Sequence, residues 1–436
     1  MTQQALVDER VRWMADHAIP LRTIDPADDD FSDLDPLRSV FGDARIVQLG
    51  EQTHMDGATF DAKVRLIKFL HQEMGFSVVA FESGLYDCWR AWKAAKAGST
   101  AAEVAQLGVF GIWSKSAQVL PLFEYIVDQA HAARPLELAG FDSQLSSGAS
   151  RAHLVDDLRD VVATHLPSFT SDHLDAAESA IVQLTDFTLP WPDDAHRESK
   201  AALEALAAGL GALASDPGTP GTPGTPGTPG TAGAADDVVL WAQLAKTLVV
   251  QVDVSYALKL NQADVSASQL RDVEMGTNIN WLADARYPGQ KIVVWAATSH
   301  LVRNPHEINF VSLGFDWSTY TTAGHVVSQQ QGDAVFTLGF AALEGEIGRP
   351  GGDVTAIGPM DDGSLEDLLA RTGEEIAVLD LRDAADGSVA TDESGAWLDD
   401  WLTGHLMGYQ GVPARWARVV DAVLFIRTMY PSSAYE

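Results

Sequence analysis

Residues 44–84 read ARIVQLGEQTHMDGATFDAKVRLIKFLHQEMGFSVVAFESG, and the fold turns on them. Residues 44–49 are a short apolar run closed by Gly50, and residues 76–81 are another. Between them Phe60, Val64, Ile67, Leu70 and Met74 recur at helical spacing, which predicts a helix over 59–74. Strand, helix and strand in so short a space make a parallel crossover. Similar apolar runs return at 136–139, 291–296, 334–340, 376–381 and 419–426. The expected fold is α/β, a mainly parallel sheet core of about six or seven strands flanked by helices.

Working outward, residues 85–134 and 150–285 lack such runs, are rich in Ala, Leu, Glu and Gln, and are too long for simple crossovers. They are read as a large inserted helical lobe, leaving 1–84, 135–149 and 286–436 to the α/β core. Within the lobe, residues 216–235 read DPGTPGTPGTPGTPGTAGAA. Pro removes backbone donors and Gly raises chain entropy, so a flexible exposed loop is expected there. An amphipathic helix is expected near the amino terminus, with Leu6, Val11, Met14 and His17 near one face. A solvated acidic loop is expected at 25–35, a loop at 344–363 and a short helix at 364–371.

The 436 residues are 46% apolar and 21% charged, a globular composition that excludes wholesale disorder. Acidic residues number 61 against 29 basic, for a formal net charge of −32. Such a surface repels phosphate backbones and anionic headgroups, so neither nucleic acid nor a membrane is an expected partner. Cys88 is the single cysteine, which rules out an intrachain disulfide or thiolate cluster and fits a reducing compartment. No signal-like segment and no run of about 18 apolar residues stands out, so a cytoplasmic location is expected.

The chemistry is concentrated where the early strands stop. Gly50-Glu51-Gln52-Thr53-His54 follows the first, Glu82 the second, Asp142 the third and Ala297-Thr298-Ser299-His300 the fourth. Ligands of open α/β sheets bind beyond the carboxyl ends of the strands. If these strands are parallel neighbours, Glu51, His54, Glu82, Asp142 and His300 share one crevice. Lys63 falls on the inward stripe of the following helix, where it must reach that crevice or pair with Glu51 or Glu82. Arg65 and Lys68 face elsewhere and are expected in solvent. Glu51, His54, Glu82 and His300 also make a conceivable metal-ligand set, although Glu51-x-x-His54 occurs once and on a turn rather than twice on helices. Trp89, Trp92 and Trp113 are candidates for an apolar pocket or for core packing. Elbow, Walker and dinucleotide glycine motifs are missing.

The 46–84 stretch resembles the erythromycin esterase family, whose pattern is G-E-x-x-H, a helix bearing a basic residue, and a strand ending in F-E. GFDSQ at 140–144, RDVEMGTNINWL at 271–282 and VVWAATSH at 293–300 extend the resemblance from about Arg45 to the final strand. The resemblance implies a sheet core with a helical lobe and a cleft between them, and a metal-independent hydrolase that opens a macrolactone ester. It places the general base on His54, the motif acids on Glu51 and Glu82, the basic helix residue on Lys63 and the second-half histidine on His300. Asp142, Arg271, Trp89 and Trp113 are assigned to substrate binding. Met55 stands where the family commonly has Gly, and Ala297 where its esterases commonly carry a further histidine; Arg303 or His306 are the nearby groups that could refill that space.

The leading expectation is hydrolysis of an ester or lactone in a medium-sized natural product, with no resident cofactor. His54 takes a proton from water, and Lys63 and His300 stabilise the oxyanion. Two alternatives stay open: acid-base chemistry without hydrolysis, such as cyclisation or elimination, and sequestration of a hydrophobic ligand without turnover.

Overall fold

The computed structural model describes residues 2–145, 147–186, 193–215, 237–259, 265–312, 315–382 and 397–435. The 216–235 segment lies outside the described residues. The core is one mixed, mostly parallel sheet of nine strands: β1 (Ile19–Pro20), β2 (Ile46–Leu49), β3 (Phe76–Gly84), β4 (Glu137–Asp142), β5 (Lys291–Trp295), β6 (Val335–Gly348), β7 (Val354–Ile357), β8 (Ile376–Asp380) and β9 (Ala422–Met429). The strand order is β1-β8-β9-β6-β2-β5-β3-β4, with β7 paired to β6. From β9 to β4 all neighbours run parallel; β1, β8 and β7 add antiparallel edges.

The apolar runs are continuous because both faces of the sheet are covered. On β5, Val293 and Trp295 join the core under the Gly57–Met74 helix, while Ile292 and Val294 join Met275 and Ile279 of the Val265–Trp281 helix on the opposite face. Trp92, Val104 and Phe123 pack in the first of these cores. A separate cluster of Leu154, Ile181, Leu206 and Trp241 holds the helical lobe together. The helix Val238–Leu258 is long and apolar enough, at mean hydropathy 1.3, to cross a bilayer by composition alone, contrary to the sequence reading that no such segment exists. It is 72% buried inside the molecule, with Gln243, Thr247 and Gln251 buried along it.

Three expectations are corrected. The sheet has nine strands rather than six or seven, since β1, at two residues, and β7, at four, are too short to show as apolar runs. Residues 344–363 are not all loop, because β6 continues to Gly348 and β7 turns back against it. Gly345 permits this at φ +125°, where an added Cβ would strike the Met429 carbonyl. Arg65 is not in solvent. Its side chain is 2% exposed and grips Asp33 through two hydrogen bonds of 2.7 and 3.0 Å. Carbonyls of Thr23 and Asp30 accept from it too, and Lys68 pairs with Asp29. The acidic 25–35 loop is thus pinned to the helix by two cations.

Removing one partner of a buried ion pair strands the other. Arg65→Met is expected to destabilise the fold by about 3 kcal/mol. Urea unfolding checks it through a lower midpoint at unchanged m-value.

Candidate active site

The ends of four adjacent parallel strands build the site. Leu49 of β2 sits beside Trp295 of β5, Trp295 beside Phe81 of β3, and Phe81 beside Gly140 of β4. Glu51, Glu82, Asp142 and His300 therefore leave the sheet at one rim. Gly50 lets the chain turn there, because a Cβ would lie 2.3 Å from the Thr298 hydroxyl. The turn is closed by Asp56, which accepts from the Thr53 N–H and hydroxyl at 2.7 Å each and from Tyr409 at 3.1 Å. Burial pushes Asp56 up to about 7, against those hydrogen bonds.

Glu51 is fully buried and divides its oxygens between two partners. Oε1 accepts from His54 Nδ1 at 2.6 Å, and Oε2 accepts from Lys63 Nζ at 2.5 Å. Lys63 is fully buried, also donates to the Ala296 carbonyl at 3.4 Å, and lies 4.3 Å from the centre of the Trp295 ring. Burial lowers its pKa against the pull of Glu51. Lys63 therefore serves the carboxylate: its ammonium is held by Glu51 and the Ala296 carbonyl, where sequence reasoning expected it at an oxyanion. The His54 side chain is 29% exposed and meets Trp113 in a T-shaped contact with the ring centres 5.1 Å apart. Burial pulls its pKa down, but the hydrogen bond to Glu51 and the charge of Glu82 outweigh this, and the net shift is upward.

The second half of the site is a network around Glu82. Its Oε1 accepts from Arg271 Nη2 at 3.0 Å and faces His300 Nε2 at 3.3 Å; its Oε2 accepts from the Ala297 N–H at 3.0 Å. Burial alone would raise Glu82, but the charges of His300, His54 and Arg271 hold it well below the usual carboxylate range. Arg271 also grips Asp142 through Nε at 3.0 Å and Nη2 at 2.7 Å, and these acids raise its pKa against burial. His300 Nδ1 meets Asp272 Oδ1 at 2.5 Å. Burial lowers His300, and Asp272 and Glu82 overcome it, pushing the imidazole up to about 10.

The structure thus brings together Glu51, His54, Lys63, Glu82, Asp142, Arg271, His300 and Trp113. It does not bring Trp89, a correction: that ring packs on Tyr86 and under Lys93 in the lobe core, where its area is buried against other apolar groups. Arg303 does not refill the space of Ala297 either. Its guanidinium is spent on Asp421 and the carbonyls of Ala417 and Val420, and His306 is exposed in the cavity beside them. Sequence reasoning missed Asp272 and Asp56. Asp272 carried a signal, since with Met275, Ile279 and Leu282 it lies on the inward stripe of its helix.

A family model described as "Erythromycin esterase" matches residues 71–429. The chain belongs to the erythromycin esterase family. A relative in Bacillus subtilis (strain 168), named "Putative hydrolase YbfO", is 25% identical over 440 residues, covering 96% of this chain and 91% of that protein. The crystal structure of a succinoglycan biosynthesis protein superposes with a TM-score of 0.77 at 19% identity, covering 99% of each chain. A mutant of the erythromycin esterase EreC in its open conformation gives 0.68 at 14% identity, covering 94% of this chain and 97% of that one. At these identities the two structures show a shared fold. Membership of the erythromycin esterase family and the likeness to YbfO support hydrolase activity.

Among the described residues no group of three or more His, Cys, Asp or Glu is arranged to hold a metal ion. The conceivable ligand set is already committed: Glu51 to Lys63 and His54, Glu82 to Arg271, His300 and the Ala297 amide. Those carboxylates have cations and donors where a metal would sit.

Lys63→Met leaves Glu51 buried beside an imidazole alone. A loss of about 3–5 kcal/mol is expected in denaturant unfolding, and adding Glu51→Gln is expected to restore part of it.

Proposed function

We propose that the protein hydrolyses an ester or lactone bond in a medium-sized, macrolide-like natural product, with His54 as general base. The observation that carries the reading is the contrast between the two imidazoles. His54 Nδ1 is engaged by Glu51, which leaves Nε2 as the nitrogen that can take a proton. His300 has a carboxylate facing each nitrogen.

Water gives a proton to His54 Nε2 as its oxygen bonds to the substrate carbonyl carbon, and the carbonyl oxygen becomes an oxyanion. Glu51 stabilises the imidazolium formed, and Lys63 holds the other oxygen of that carboxylate. His300 and Arg271, whose donors face Asp272, Glu82 and Asp142, contribute their charge to the field that favours the oxyanion and not a hydrogen bond of their own. Collapse breaks the carbon–oxygen bond, and the leaving alkoxide recovers the proton from His54. One water yields one carboxylic acid and one alcohol. The half-buried Met55 adjoins His54 in sequence, and the half-buried Phe110 stacks on the Trp113 ring that contacts His54, which supports an apolar substrate of this kind.

Hydrolysis of a panel of macrolactones and simpler esters tests the reading. In heavy-oxygen water one label is expected in the acid; product without label would favour elimination or cyclisation, and bound ligand without product would favour sequestration. His54→Asn is expected to lower kcat by about 100- to 10,000-fold with folding intact. Activity within a factor of a few of wild type removes the assignment.

The pH profile follows from His54. A base must be neutral, so activity is expected to fall as pH drops through a value above 6.5, the ordinary imidazole pKa. Glu51→Gln removes the hydrogen bond that raises His54 and is expected to move this acidic limb to lower pH while reducing kcat.

A further inference from the structure

The two histidines each carry a carboxylate on Nδ1, so each could be taken for the base of a dyad. They differ at the second nitrogen. His300 lies between Asp272 Oδ1, at 2.5 Å from Nδ1, and Glu82 Oε1, at 3.3 Å from Nε2. An ionised carboxylate only accepts hydrogen bonds, so both ring nitrogens must be protonated for both contacts to be favourable.

We propose, building on the hydrolytic reading above, that Asp272 is a positioning residue that fixes His300 as a doubly protonated imidazolium, a permanent cation opposite the base and never a second base.

The two carboxylates at His300 fit this state. Asp272 and Glu82 are 1% and 2% exposed in their side chains, so their fields act on the ring with little screening. Arg271 Nη1 comes within 3.5 Å of His300 Nε2. Two cations so close are tolerated because Glu82 Oε1 lies against both, and because Asp142 takes the rest of the guanidinium. His54 acts on His300 as a more distant like charge only when protonated. Burial and then the charge of Asp272 raise the pKa of the Tyr320 phenol, which keeps it neutral beside that carboxylate. Glu82 is shared between His300, Arg271 and the Ala297 amide, whereas Asp272 faces His300 as its main cationic partner. Asp272 is therefore the acid whose loss changes the state of His300 most.

Nitrogen-15 NMR of histidine side chains in the whole protein, without substrate, reads this directly. The His300 signals are identified by their loss in His300→Gln. Both ring nitrogens are expected to show imidazolium shifts at pH 8, with deprotonation only toward pH 10. In Asp272→Asn the titration is expected to fall by about 1–3 pH units, and Asp272→Glu is expected to return it. If the hydrolytic reading holds, the alkaline limb of kcat moves with it: Asp272→Asn loses about 10- to 100-fold at pH 9, with KM little changed, and regains activity on acidification. A variant that has lost only its packing would be impaired at every pH. Should Asp272→Asn fail to fold, Tyr320→Phe and the wild-type titration remain. Wild-type His300 titrating near 6.5, or titrating unchanged in Asp272→Asn, overturns the proposal. Because the NMR arm needs no substrate, an imidazolium His300 in a protein that hydrolyses no ester would sink the hydrolytic reading alone.

Discussion

The site rests on one buried carboxylate that two groups share. Glu51 is buried, with no solvent around its carboxylate, so both oxygens must find partners inside the molecule. Lys63 meets one, with the Trp295 ring face and the Ala296 carbonyl completing its surroundings. The other faces His54 Nδ1. The orientation of the half-exposed imidazole follows from a fully buried pair. Burying such a pair is a poor device for stability, because desolvation offsets the attraction. It is a good device for placing a charge, and that is how the chain uses it.

The strand order makes this arrangement possible. β5 lies between β2 and β3, so the 291–300 segment, distant in sequence, brings Ala297 and His300 between Glu51 and Glu82. Each acid then meets a cation from a different segment: Glu51 meets Lys63 of the first crossover, and Glu82 and Asp142 meet Arg271 of the Val265–Trp281 helix. The chain as a whole carries −32, but the rim is locally compensated, and its carboxylates are spent on orientation.

Much of this was legible in the sequence, for physical reasons that differ by residue. The strands at 44–49, 76–81 and 291–296 showed as apolar runs because both faces of a parallel sheet are covered. Strand ends of an α/β sheet collect function, so Glu51, Glu82 and His300 could be marked without knowing their partners. Lys63 was marked by its place on an apolar stripe. The same reasoning applied to the 265–281 helix would have marked Asp272, which shares its stripe with Met275 and Ile279. What could not be read were contacts set by tertiary placement. Arg65 lies off the stripe of its helix, and only the return of the 25–35 loop across that helix buries it. Trp89 and Trp113 are alike in sequence; one faces the lobe core and the other packs against His54, a difference made by packing. Strand β7 is only four residues long and exposed along three of them, too short a run to mark a strand.

Ala297 shows why the side chain at a site position and the function of that position can separate. An imidazole is missing there by comparison with the esterase pattern, yet the backbone N–H of Ala297 donates to Glu82 Oε2. That bond belongs to the main chain and is indifferent to the residue. Glu82 keeps both oxygens satisfied, and its Oε1 remains fixed against Arg271 and His300. On the proposed mechanism the substitution therefore removes a side-chain donor and leaves the base, its carboxylate and the fixed cations in place. On that mechanism the changed side chains are apolar, at Ala297 and Met55, and their effect falls on which acyl group fits beside His54, because the attack of water draws on other residues.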